Sequence, residues 1–104
     1  MKNAKDLEEL RTRQLVLDHL NNWLQSGQTR IDLLTLDMMV SCIKRIMQEM
    51  TYDFDRNLLL VTVIYAERYV KFYGQIRTTD CFQLLLLSSM VTAKMWFDTG
   101  KIST

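Results

Sequence analysis

Few side chains in this sequence can do chemistry, and their spacing narrows what that chemistry is. His19 is the single histidine, and no cysteine or carboxylate follows it at the three- or four-residue step that would complete a metal-binding helix face. It is expected to be an ordinary residue of a helix surface. Cys42 and Cys81 are the only cysteines, lie far apart, and lack any partner at ligand spacing. They read as two buried thiols of a reducing compartment, because free cysteine is among the most buried residue types. Asp53 and Asp55 resemble the start of a calcium loop. The glycine and distal glutamate that such a loop needs are missing, so both read as helix caps. No glycine-rich phosphate loop, nucleophile elbow or His–Ser pairing is present in the sequence. The expectation is a non-enzymatic binding protein that takes no metal and no cofactor.

A second set of residues stands out because it breaks faces that are otherwise apolar. Arg45 sits between Ile43 and Ile46-Met47, Glu67-Arg68 between Tyr65 and Tyr69, and Lys94 beside Met95-Trp96. One reading has each charge snorkelling to water along its own stem. The other has Arg45 and Glu67 paired across two packed helices, since a charge inside a helical interface is tolerated only when it is matched.

The elements that carry these residues are helices. The chain has no proline, only three glycines and 48% hydrophobic residues, with many good helix formers. The fold class predicted is all-α. Apolar residues at three- and four-residue steps define a first helix over 5–25, Leu7, Leu10, Leu17, Leu20 and Leu24 marking its face, and Ser26-Gly27 ends it. A second helix begins after Thr29, the predicted cap, and runs to Met50-Thr51. Asp53 or Asp55 caps a third that stops at Gly74. Thr78 or Thr79 caps a fourth that runs to about Phe97 and stops before Asp98-Thr99-Gly100. The centres of the third and fourth helices, 58–66 and 82–91, are apolar nearly all round and are expected to be buried on several sides. At 104 residues the chain is one domain, with the first helix followed by a second unit over 30–98.

The formal charge is +1, with acids and bases interspersed. Binding nucleic acid takes a clustered basic face, so nucleic acid is not an expected partner. Residues 1–10 lack the apolar core of a signal peptide, and the apolar run 81–93 is too short to span a bilayer. The expected setting is intracellular, cytoplasmic or nuclear, without membrane contact.

Three segments, taken in order, resemble a cyclin box. They are Ile43-Lys44-Arg45-Ile46, the run Leu59 to Tyr69 ending Tyr65-Ala66-Glu67-Arg68-Tyr69, and the run Cys81 to Lys94 ending Thr92-Ala93-Lys94. They are most similar to the fungal phosphate-pathway, plant U-type and cyclin-Y branch, and Trp96 and Asp98 match the aromatic and acidic residues that often follow the lysine. The likeness covers residues 40–98. It implies a four-helix, cyclin-like bundle made of the first three of the five box helices plus an extra N-terminal helix. It makes Arg45 and Glu67 the structural ion pair of the box, with Glu67 where the family usually has Asp. Lys94 becomes the lysine that reaches a cyclin-dependent kinase. The implied function is that of a kinase regulator of the cell-cycle type. Lys94 by this match, and Met95, Trp96 and Phe97 by residue type, form the expected partner surface; the other reading packs Trp96 and Phe97 under the first helix. The alternative is an adaptor that keeps the cyclin-like fold and self-associates as a homodimer or docks a partner helix.

Overall fold

The computed structural model describes residues 4–98. It contains four helices: α1 Ala4–Trp23, α2 Leu33–Glu49, α3 Arg56–Tyr73 and α4 Thr78–Asp98. No strand occurs among the described residues, only an isolated bridge between Leu24 and Ile76, so the all-α expectation holds. The turn expected at 99–100 lies outside the described residues.

Caps explain where the helices start. Asp32 opens α2, its Oδ1 accepting the Thr35 N–H at 2.7 Å, and those bonds from Thr35 hold its carboxyl below the usual aspartate value. The cap is therefore Asp32, three residues after the predicted Thr29. Asp55 opens α3 as expected, accepting from the Leu58 N–H at 2.8 Å. The start of α4 is served from elsewhere in the chain. The Thr78 N–H donates to Gln28 Oε1 at 3.0 Å, and the Thr78 hydroxyl donates to the Thr29 carbonyl at 2.6 Å.

The helix ends differ in kind. After α2 the N–H groups of Thr51 and Tyr52 return to the carbonyls of Gln48 and Met47, a Schellman closure. Its left-handed position is held by Thr51, φ 63°, where glycine is usual. Gly74 ends α3 with φ 99°. The end of α1 comes before Gly27, because Gln25 N–H donates to the Ile76 carbonyl and Ile76 N–H to that of Trp23, both at 2.9 Å. Backbone pairing with the α3–α4 connection takes over where the helix would have continued.

The helices form a ring in which α3 packs on α4 and α1, and α2 packs on α1 and α4. α2 and α3 thus stand across the bundle from one another. Leu20, Trp23, Leu36, Ile43, Met47 and Leu85 are the large side chains at its centre. α3 is buried toward both α1 and α4, and α4 toward α3 and α2, but neither helix is covered all round. Ile64, Tyr65 and Tyr69 on α3, and Leu87 and Val91 on α4, are exposed. Cys81 is buried, and burial pushes its thiol up to about 11. Cys42, expected to be buried too, is exposed because it lies on the solvent side of α2, next to buried Ile43.

Candidate docking surface

The outer face of α3 and α4 is built by two helical stripes. On α3, Tyr65, Tyr69 and Phe72 recur at four- and three-residue steps, which brings them to one side. Tyr73 packs on Tyr69 in a tilted arrangement with ring centroids 4.6 Å apart and meets Phe72 edge-on at 4.8 Å. On α4 the same spacing aligns Asp80, Leu84, Leu87, Val91 and Lys94. Between the stripes runs a groove of about 490 Å³, lined by Tyr65, Tyr69, Leu84, Leu87 and Val91, with Ile76 and Asp80 at one end. Asp80 is paired with Arg77 at 3.0 Å. The rest of the lining is apolar apart from Gln83, Ser88 and the tyrosine hydroxyls.

The four residues 94–97 do not form one surface. Successive positions on a helix turn by about 100°, so four in a row spread over most of the circumference. Lys94 is exposed on the groove stripe, one turn after Val91. Trp96 is half-buried and packs against the core. Phe97 stacks on Tyr52 of the α2–α3 connection, with centroids 5.5 Å apart. Met95 is exposed.

The pairing of Arg45 with Glu67 is not present. Arg45 is exposed on α2, whose main neighbours are α1 and α4. Glu67 instead accepts a hydrogen bond from His19 Nδ1 at 2.8 Å. That bond holds the Glu67 carboxyl below the usual glutamate value, with partial burial opposing it. An ionised carboxylate only accepts, so Nδ1 carries the hydrogen. The buried Trp23 indole N–H has no partner at strict hydrogen-bonding geometry. Its dipole helps hold the Glu67 carboxyl low, behind the larger effect of His19. His19 is therefore half of a latch between α1 and α3 and not an ordinary surface residue. Its neighbours gave a signal: Val16, Leu20 and Trp23, at three before, one after and four after, are all buried.

Buried hydroxyls line the α3–α4 seam. Thr62 Oγ1 and Thr92 Oγ1 are 2.9 Å apart, Thr92 donates to the Ser88 carbonyl at 2.8 Å, and Ser89 donates to that of Leu85 at 2.7 Å. Since Thr92 has one proton and spends it on Ser88, Thr62 is the donor in their contact. Each hydroxyl is held by a backbone carbonyl or another hydroxyl, an arrangement that serves packing.

A second cleft, of about 420 Å³, opens where α1, α2 and the start of α3 meet, with Lys5, Glu9, Arg13, Lys44 and Arg56 around it. Its arginines are matched by acids, Arg13 with Asp37 and Arg56 with Glu8. No group of three or more potential metal ligands occurs among the described residues, and no described helix is long and apolar enough to cross a membrane. Comparison with family models, curated proteins and solved structures finds no match.

Proposed function

We propose that this chain is a non-catalytic protein-docking module and that it binds through the outer face of α3 and α4. The observation that carries this reading is the aromatic and aliphatic surface around the groove. Phe72 is 80% and Tyr73 70% exposed, beside half-exposed Tyr65, Tyr69, Leu87 and Val91. A contiguous apolar patch of more than a few hundred Å² marks an interaction site in most soluble proteins, and tyrosine is enriched among residues that dominate binding. The chemistry elsewhere supports the same view. His19 is committed to Glu67, the Ser89 and Thr92 hydroxyls to backbone carbonyls, and that of Thr62 to Thr92. The test is a Leu87→Glu variant, which places a charge on the groove wall. Partner capture should be lost while the far-ultraviolet circular dichroism stays helical. Capture at the parent's level would refute the reading.

A second reading follows from the cyclin-box resemblance, with a cyclin-dependent protein kinase as the partner in a cytoplasmic or nuclear setting. Lys94 favours it, being exposed and free to reach another chain at the end of the α4 stripe. Purified kinase offered to the chain and to Lys94→Ala separates the two. Binding that depends on Lys94 supports the kinase reading, and equal binding or none removes it.

A further inference from the structure

We infer that the occupant of the α3–α4 face is a second copy of this chain, set against the first by a two-fold axis. The inference rests on the docking reading above and names its partner.

The extent of the face is the first argument. Taking roughly 200 Å² for a whole aromatic side chain, the exposed fractions of Tyr65 (40%), Tyr69 (46%), Phe72 and Tyr73 amount to roughly 450–500 Å². Leu87 and Val91, also exposed, bring the face to on the order of 600 Å², beside about 800 Å² per partner in a standard interface and about 600 Å² at the lower end of that range. A stable dimer needs about what this face offers.

The second argument is shape. Phe72 and Tyr73 stand beside the groove and are not part of its lining. A single slim helix lying in the groove would leave both rings in water. A second copy covers them, because it brings its own groove to the protruding Phe72 and its own Phe72 to the first groove. Knob and hole on one face are what a two-fold interface requires, since each contact must occur twice.

Charge then sets the direction. The α4 stripe begins at Asp80, braced by Arg77, and ends at Lys94. Antiparallel α4 helices keep the two Lys94 side chains apart, each set toward the neutral Arg77–Asp80 pair of its partner. Parallel helices would bring Lys94 against Lys94, a like-charge contact that interfaces avoid. The antiparallel dimer is the one expected.

Light scattering on the purified chain, from low-micromolar to near-millimolar concentration, should give twice the 12.3 kDa chain mass. Phe72→Ser, at a side chain the fold does not use, should weaken dimerisation by about tenfold or more with unchanged circular dichroism. A single-chain mass throughout, or a Phe72→Ser variant that dimerises as tightly as the parent, would overturn the inference. A photo-crosslinking residue in place of Tyr65, used in cells, distinguishes this from failure of the docking reading. Crosslinks to peptides of this same chain support the second copy. Crosslinks only to a different protein overturn it and leave the docking surface standing. The lack of any crosslinked protein overturns both.

Discussion

α3 meets its two neighbours by opposite means. From α1 it meets large side chains, with Leu20 and Trp23 of α1 buried and the His19–Glu67 latch closing the rim. Against α4 it sets small ones: Thr62 and Ala66 on its own side, Ser88, Ser89, Thr92 and Ala93 on the other. Small residues let two backbones approach closely, and the hydroxyls of Thr62, Ser89 and Thr92 find partners within the seam. Large residues keep the helices further apart and leave room at the edge for a charged pair. The first seam is held by buried area and the second by close fit, and the two should fail differently.

Removing bulk is the strongest way to break the first seam. Trp23→Ala should lose about 3–5 kcal/mol, the usual range for deleting a buried tryptophan. In the α3–α4 seam the damaging change runs the other way. Ala66→Leu, one turn on from Thr62, should cost about 1–3 kcal/mol through overpacking. Urea denaturation of both variants checks the contrast. If Ala66→Leu were neutral, the α3–α4 seam would not be closely packed.

A finer distinction comes from the hydroxyl pair. Thr92→Val leaves the Thr62 hydroxyl buried without its acceptor and should cost about 1–3 kcal/mol. Thr62→Val should cost less, because Thr92 keeps its bond to the Ser88 carbonyl. Replacing both should recover most of the loss, since removing both partners of a buried hydrogen bond is nearly neutral. A double variant as unstable as the sum of the singles would show that the two hydroxyls do not interact.

The latch should respond to pH. Glu67 in the folded chain titrates below its ordinary value of 4.5, so its stabilising contribution is complete above that value. It disappears as the pH falls through the folded-state titration. Because both side chains are about a third exposed, the contribution at neutral pH is under about 1 kcal/mol. Parent and Glu67→Gln should therefore differ in melting temperature near neutrality and converge in acid. A difference that persisted unchanged into strong acid would rule out the ionised latch.

Much of this was readable in the sequence where the cause is local. Asp55 as a cap, Gly74 as a stop and the apolar periodicity of four helices depend on residues within a turn or two. The errors fall where the cause is distant. α1 stops before Gly27 because Ile76, about fifty residues on, pairs with its end, and α4 is capped by Gln28 from the α1–α2 connection. The same holds for the site. The apolar stripes of α3 and α4 were legible, but which side of each meets water depends on the order of helices round the ring. Consecutive residues 94–97 read as one surface only until the helix separates them.

Arg45 gives the smallest effect and the sharpest contrast with the latch. A charge that interrupts Ile43 and Ile46 invites a buried partner, and the sequence offers Glu67. In the folded chain Ile43 is buried and Arg45, two positions on, points away from it, since two helical steps turn a side chain by about 200°. Glu67 is taken by His19 on the opposite side of the bundle. Arg45→Ala should therefore change stability by no more than about 0.5 kcal/mol, as for other surface positions, and should leave the pH dependence of Glu67 intact. His19→Ala should abolish that dependence while costing under about 1 kcal/mol at neutral pH. Thermal melts of the two variants at neutral and acid pH decide the matter. If Arg45→Ala, and not His19→Ala, flattened the pH profile, the ion pair would belong to Arg45 and the ring order of the helices would be wrong.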